Sequence, residues 1–583
     1  MTNMRISGNE LLVETLAAFG VSTLFTLHGG HLDGVYRAAL DRSMRLIDTR
    51  HEQAAGFAAQ GYAKATGAVG VAFATAGGGV SNLATPVANA AADAVPVVYF
   101  GAAPPLRDFD SLPVNSGYDQ VALMTGVAKW THRATVTELL PQVVARALQV
   151  AREGRPGPVY IDLPTDVLFA QVEREDVVVP AAGPRPVAPA PDVDRVKDVV
   201  RMLEEARRPV VLAGGGAVYP DASQGVRRLA ERYALPVLTN NKSKGLVPTP
   251  GVHAGGSFGA IAAVSRREGL DPDLVLVLGA RFGLYTGGRR GSVVPSGARV
   301  IQVDIEAEEF GRIRDSDISI VASVDSFVAA LLRAGTDSEP PAERRGWLAR
   351  FTAPSHGHSP SAGVDTDASG QASLRPSELG ALIARAVPDD TTFVLDGGET
   401  PAWLDPLARV FEPRRWVGHG YLGVMGEGLP HAIGVQAARP GAPVVCFTGD
   451  GALGFCLGEF DTLARHDLPV IVIVNNDHGW AMSQHGQDLI YGAGRRMISD
   501  LESSDYDQVA SAFGVHGETA ETAEQVTDAI RRALASGKPA CINVLTESAD
   551  IAGVTRRFVG DIVDGPLDRN GRARVPYAEA LVV

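Results

Sequence analysis

Short runs rich in β-branched and aromatic residues alternate with alanine-rich helical patterns along the whole chain, and no other feature constrains the fold as strongly. A strand, a covering helix and the next strand pack as a right-handed crossover, so many such units in series give parallel sheets clothed by helices. The class is α/β. A chain of 583 residues is too long for one hydrophobic core, and three doubly wound parallel-sheet domains are expected.

The first domain is expected over residues 1–178. Thr23 to Leu27, Val69 to Ala74 and Val95 to Phe100 read as buried strands, Glu52 to Thr66 reads as a helix, and the segment closes near Pro164. Val179 to Val193 is rich in proline and alanine without periodicity, as a semi-rigid linker would be. The second domain, residues 194–334, offers strands at Pro209 to Ala213, Pro236 to Thr239, Leu274 to Leu278 and Val300 to Asp304. A polar connection from Gly335 to Ser373 carries one short helical piece, Glu343 to Phe351. The third domain, residues 375–555, is expected to hold strands at Thr392 to Asp396, Trp416 to Gly418, Val444 to Thr448, Val470 to Asn475 and Ala540 to Val544. The tail, 556–583, either covers the site or packs against it. Three units of similar size suggest a common layout.

The formal net charge of -14 disfavours a nucleic-acid or anionic-membrane partner, since either rewards a basic face. A small-molecule partner fits better. Three cysteines, Cys446, Cys456 and Cys541, show neither a disulfide framework nor metal-ligand spacing. The first ten residues lack the pattern of a secretory signal, and the apolar runs are far shorter than the ~20 residues that span a bilayer. A soluble, cytoplasmic protein is expected.

Val444 to Gly451, VVCFTGDG, is a buried strand running into a Gly-Asp-Gly turn and then a helix. Glycines let backbone approach phosphate oxygens, the helix start offers free N–H groups, and Asp450 can hold a magnesium ion. The strand Val470 to Val474 then ends in NNDHGW, whose Asp477 follows Asp450 by 27 positions. Two neighbouring parallel strands would deliver both oxygen-rich turns to one point at their carboxyl ends.

This pairing resembles the diphosphate-binding motif of thiamine diphosphate enzymes, in their acetolactate synthase and benzaldehyde lyase branch. Eight blocks follow that branch in order: TLHGGHLD, DTRHEQAAGFAAQGYA, ATAGGGVSNLATPVANA, DQVALMTGVAKWTHR, GPVYIDLPTD, LVLGARFGLYTG, HGYLGVMGEG and GEFDTLARHDLPVIVIVNN. The likeness covers nearly the whole chain and is greatest to benzaldehyde lyase.

The resemblance implies thiamine diphosphate and Mg2+ as cofactors, with Gly449, Asp450, Gly451, Ala452, Asp477, Trp480, Ala481 and Met482 around the diphosphate. A gapless comparison gives Asp450, Asp477 and the Gly479 carbonyl as metal ligands, where the family carries asparagine in place of Asp477; a shift by one residue gives Asn476 instead. Glu52 corresponds to the acid that hydrogen-bonds the aminopyrimidine ring. Met425 would prop the cofactor into its bent shape, the Gly423 backbone would accept from the ring amine, and Gly77 to Gly79 would line the neighbouring turn. His31 corresponds to the histidine that moves protons at the substrate hydroxyl, and His28 stands close by.

The implied substrate pocket comprises Gly30, His31, Asn115, Thr165, Pro401, Met482 and Gly486. Relative to benzaldehyde lyase, Asn115 replaces a glutamine, Thr165 a tryptophan, Pro401 a tyrosine, Met482 an alanine and Gly486 a phenylalanine. The aromatic walls are gone.

A carboligase or lyase acting on 2-hydroxy ketones, aldehydes or 2-oxo acids is the expected function. Alternatives are an acetolactate synthase-like enzyme or 2-oxo acid decarboxylase, a 2-hydroxyacyl-CoA lyase hinted at by Arg281, Arg289 and Arg290, and an inactive binding homologue. The middle segment lacks an evident flavin loop, so FAD is not expected. The resemblance implies active sites between subunits of a homodimer or homotetramer.

Overall fold

The computed structural model of the chain describes residues 5–183, 188–218, 220–288, 293–336, 339–352, 374–502, 504–547 and 550–562. The tail beyond residue 562 and parts of both expected connections lie outside them.

Three six-stranded parallel sheets, each with helices, organise these residues. In the first, the spatial order is Arg45–Asp48, Thr23–Thr26, Gly70–Ala74, Val97–Ala103, Pro158–Pro164, Trp130–Arg133. The third runs Trp416–Val417, Thr392–Leu395, Val444–Gly449, Val470–Asn476, Ala540–Leu545, His516–Ala520, which is the same arrangement. The second differs: Ala254–Ser257, Val237–Thr239, Pro209–Ala213, Leu274–Leu278, Arg299–Asp304, Ile318–Val321. The common layout expected for all three units therefore holds for two. In every sheet the chain reverses its direction of winding beside its first strand, which opens a crevice there at the carboxyl ends of the strands.

Every strand expected from the sequence is present within a few residues, and the helix Glu52–Thr66 starts and stops where expected. The strands that escaped notice include Arg45–Asp48, Trp130–Arg133, Ile318–Val321 and His516–Ala520. They lie at or next to sheet edges and are only partly buried, so they lack continuous apolar runs. A short antiparallel pair, Arg5–Ser7 with Gln171–Glu173, ties the amino terminus to the segment after the first sheet.

The first and third sheets share one core, in which Phe25, Ala72 and Tyr99 meet Val394, Val444 and Val472. At its centre the helix Glu52–Thr66 crosses the helix Gly428–Ala438, which is buried on nearly every side. Small residues set the distance. A Cβ on Gly434 would lie 1.8 Å from the Ala58 carbonyl oxygen, and one on Gly61 would lie 2.2 Å from that of His431. Gly434→Ala should therefore destabilise the protein by about 3 kcal/mol, since overpacking against backbone cannot relax by a rotamer change. Gly346→Ala, in an exposed helix with nothing within 4 Å, should be neutral or stabilising. Urea unfolding of both variants provides the comparison, and equal midpoints would show that the crossing tolerates a methyl group.

Candidate active site

The crevice of the first sheet is built by two touching turns. After Thr23–Thr26 the chain passes through His28 and Gly29 into the short turn Gly30–Leu32; after Gly70–Ala74 it enters Thr75 to Gly79. A Cβ on Gly29 would lie 2.3 Å from the Thr75 Cβ, so glycine permits the approach. His31 Nδ1 lies 2.9 Å from Thr75 Oγ1 and the ring is half-buried, which lowers its pKa. His28 points the other way: exposed, it pairs with Asp33 at 3.1 Å. The structure thus sets His31, rather than His28, against the glycine turn.

Glu52 begins its helix behind an extended His51, whose Nδ1 accepts from the Gln53 N–H. The carboxyl group is buried, one oxygen accepting from Asn82 Nδ2 at 3.0 Å and the other 3.2 Å from where a Gly79 Cβ would stand. Gly79 therefore leaves the face of Glu52 open to whatever enters the crevice. Gly77, at φ +70, lies under the backbone of Asn115, itself in the left-handed region at φ 64 and donating to the Ala76 carbonyl. Asn115 lines a cavity of about 230 Å3 with Tyr118, Gln120, Arg133 and Asp162. Gln120 joins the parts: it accepts from Gly77 N at 2.7 Å and donates to the buried Asp162 at 2.6 Å, which also receives Arg133 Nε at 2.7 Å. Thr165 follows the strand Pro158–Pro164 at the same edge.

The third sheet presents the same design with more charge. Val444–Gly449 runs straight into Asp450, whose Oδ2 accepts from Gly479 N at 3.0 Å. Gly451 lies under the Trp480 ring, 2.7 Å from a notional Cβ, and Ala452 is buried beside it. Burial pushes the Asp450 carboxyl up to about 6 against the pull of the Gly451 and Gly479 amides. Burial, and then the charges of Asp450 and Glu399, push Asp477 up to about 7. No described hydrogen bond occupies the Gly479 carbonyl. Asn476 is fully buried in its strand; its Nδ2 donates to Asn543 Oδ1 and the Ser504 carbonyl, while its Oδ1 has no described partner. Among the described residues no cluster of three His, Cys, Asp or Glu side chains could hold a metal. A cation here would draw its other ligands from backbone, phosphate and water.

Met425 and Gly423 belong to the turn before helix Gly428–Ala438, and Met425 lies against Gly397. This turn is fixed by a residue the sequence reading missed. Asp396, buried at the end of Thr392–Leu395, accepts from Gly397 N, Gly426 N, Gly428 N and Thr448 Oγ1 at 2.8 to 3.1 Å. Its signal was a third strand ending in acid and glycines, Asp396-Gly397-Gly398-Glu399. Glu399 is buried too, pairing with His485 Nδ1 at 2.9 Å and accepting from Thr555 Oγ1. Pro401 opens the next helix, and Met482 lies in the first turn of Ala481–Tyr491. Gly486 of that helix faces Val559 at 3.6 Å, so the carboxyl-terminal helix lies over the position where a phenylalanine was expected to be missing.

The predicted residues thus form two half-sites. Glu52, Gly30, His31, Asn115 and Thr165 belong to the first sheet; the metal, diphosphate and remaining pocket residues belong to the third. No described hydrogen bond, ion pair or ring contact joins Glu52 or His31 to Asp450, Asp477 or Met425. A third crevice, of about 250 Å3, lies where all three sheets meet, lined by Gly215, Lys242, Arg281, Tyr285 and Asp304 among others; Arg289 and Arg290 are outside the described residues. The three cysteines are free and buried. No described helix is long and apolar enough to cross a membrane.

Comparison with known proteins agrees with this geometry. The chain matches the thiamine pyrophosphate enzyme amino-terminal TPP-binding domain over residues 6–124, the central domain over 196–331 and the carboxyl-terminal TPP-binding domain over 396–544. It is 29% identical over 558 residues to a probable acetolactate synthase large subunit of Methanocaldococcus jannaschii, covering 94% of this chain and 93% of that one. It is 31% identical over 550 residues to an acetolactate synthase of Mycobacterium bovis, covering 91% and 86%. With the acetolactate synthase isozyme 1 large subunit of Escherichia coli it shares 32% over 516 residues, covering 88% and 89%. A buried glutamate facing a glycine turn, an acid-glycine turn at the end of a parallel strand and matches along three successive segments have one common explanation: the chain is an enzyme of the thiamine pyrophosphate family, in its acetolactate synthase branch.

Proposed function

We propose that this enzyme uses thiamine diphosphate and Mg2+ to form or cleave 2-hydroxy ketones from aldehydes or 2-oxo acids, as a soluble cytoplasmic protein. The observation that carries the reading is the convergence of Asp450 and Asp477. A buried and a partly buried carboxyl group whose pKa values rise through desolvation, with Asp477 raised further by the charge of Asp450, are stabilised as anions by a divalent cation, which suits a diphosphate-bound Mg2+. Asp450, Asp477 and the Gly479 carbonyl are the ligand set we favour over Asn476, whose side chain is fully buried in the sheet and anchored there through its Nδ2. Gly449, Gly451, Ala452, Trp480 and Ala481 would surround the diphosphate, and Gly423 and Met425 the opposite end.

When bound, the cofactor supplies a nucleophilic carbon and an electron sink for the carbanion formed next to the substrate carbonyl. The chain supplies the rest. Glu52 holds a proton at its open oxygen, where a ring nitrogen would lie. His31, neutral because burial lowers its pKa, takes and returns the substrate hydroxyl proton. Asn115, held by its donation to the Ala76 carbonyl, orients the carbonyl.

Domains over 1–178, 194–334 and 375–555 fit this division of labour. Because no described hydrogen bond, ion pair or ring contact joins Glu52 or His31 to Asp450, Asp477 or Met425 within one chain, Glu52 of one subunit is proposed to meet the cofactor held by Asp450 of another, in a homodimer or homotetramer. An enzyme without flavin is proposed because the middle segment lacks an evident flavin loop; the absorbance of purified protein tests this.

Glu52→Gln should bind cofactor almost normally and slow proton exchange at the thiazolium carbon by about 100- to 10,000-fold, the range of acid-base effects; equal exchange rates would remove Glu52 from the mechanism. Sedimentation should show an active dimer or tetramer, and a fully active monomer would refute the shared site. For substrates, an aromatic ring buries about 150 to 250 Å2 and gains from neighbouring rings, which Thr165, Pro401 and Gly486 do not offer. Pyruvate or acetoin should therefore exceed benzoin in kcat/KM, and the reverse ranking would restore the benzaldehyde lyase likeness as a guide to substrate.

A further inference from the structure

Glu459 opens the helix Glu459–Arg465 of the third domain and is 2% exposed. Its two carboxylate oxygens accept from the backbone N–H of Arg50 at 3.1 and 3.2 Å, and Thr462 Oγ1 donates to Oε2 at 2.7 Å. Arg50 stands two residues before Glu52. The same helix grips the other end of this segment: Arg465 donates to both Asp48 carboxylate oxygens at 2.8 and 2.7 Å and to the Asp48 carbonyl at 2.8 Å, and His466 Nε2 lies 2.8 Å from Asp48 Oδ1. Gly458 allows the close approach, a Cβ there falling 3.3 Å from the Arg50 Cβ.

We propose that Glu459 is a positioning residue for Glu52, fixing the segment Asp48 to His51 so that the Glu52 carboxyl group faces the Gly79 opening. The inference rests on the role given to Glu52 above. Burying a carboxylate costs several kcal/mol unless its oxygens are satisfied. This one spends its oxygens on a backbone amide across 409 positions of sequence and on its own helix. Among the described residues the Glu52 side chain has one hydrogen-bond partner, Asn82, so its direction is set chiefly by the backbone that Glu459 holds. The exposed Arg465–Asp48 pair is a staple between domains, whereas Glu459 acts one residue from the cap of the Glu52 helix.

Three variants test this, with thermal melting, cofactor affinity, proton exchange at the thiazolium carbon at saturating cofactor, and amide hydrogen exchange of residues 48–54 in the cofactor-free protein as readouts. Glu459→Ala should bind cofactor within about threefold of the parent yet slow thiazolium proton exchange about 30- to 100-fold, as an ångström of misplacement can. Its amide exchange over 48–54 should rise. Glu459→Gln keeps one acceptor and should fold even if the alanine variant does not, with exchange slowed about 3- to 10-fold for the same reason. Arg465→Ala, which frees only the exposed Asp48 end of the segment, should lower the melting temperature and slow thiazolium exchange less than Glu459→Ala does. Parental exchange in folded Glu459→Gln or Glu459→Ala overturns the proposal. Glu52→Gln run alongside separates the two claims: parental exchange in that variant sinks the role of Glu52 itself, whereas slow exchange there with parental exchange in the Glu459 variants sinks only the positioning.

Discussion

The crossing of helices Glu52–Thr66 and Gly428–Ala438 is the contact on which both half-sites depend. One helix begins with Glu52 and the other follows directly on the turn that carries Gly423 and Met425. Their separation is fixed where Gly61 and Gly434 let each backbone lie against the other. Close-packed interiors transmit displacement instead of absorbing it, so a shift at this crossing would move the catalytic acid and the cofactor cradle relative to one another. The alanine-rich face of the first helix follows from the same requirement, because larger side chains would hold the sheets apart.

Around the crossing lies a set of buried charges that joins all three sheets. Asp93 is fully buried between Lys64 and Lys242, at 3.2 and 3.3 Å, and accepts from Tyr421 N at 3.0 Å. The two cations hold its pKa well below the usual carboxylate range even though burial opposes them. Glu427, two residues from Met425, accepts from Asn89 Nδ2 at 2.6 Å and faces His419. Replacing such groups by apolar ones can raise stability, so their presence is better read as fixing one arrangement than as adding strength. Here the arrangement matters, since Asp93 and Glu427 both bind the loop from Gly420 to Gly428 that forms the cofactor turn.

Much of this was legible in the sequence, for physical reasons. Central parallel strands are buried on both faces and appear as unbroken apolar runs, and the Glu52 helix has a cap, a small-residue face and a terminal glycine at Gly67. The acid-glycine turn at Asp450 was visible because strand, turn and helix are contiguous. Edge strands such as Trp130–Arg133 were not, because half-exposed strands need no apolar run. Asp396 escaped because three of its four donors, Gly426 N, Gly428 N and Thr448 Oγ1, come from distant segments, and Glu459 because its Arg50 partner lies in another domain. Nothing local to either residue encodes such pairings. Gly486 showed an absent side chain, but not that Val559 of the carboxyl-terminal helix would cover it.

The two half-sites also divide electrostatic labour. Asp450, Asp477 and Glu399 crowd the third sheet's crevice, so on the proposed function that site would hold its ligand through charge and a cation. In the first sheet's crevice Glu52 meets a neutral amide and His31 a hydroxyl, and burial keeps the imidazole neutral. Proton transfer needs groups whose protonation is set by the substrate rather than overwhelmed by fixed neighbouring charge. On the proposed function, a metal on one sheet and proton-handling groups on the other would let each crevice keep the dielectric and charge its task requires. The geometry between the sheets, and with it the Gly61–Gly434 crossing, would then be among the quantities that set the distance over which protons move.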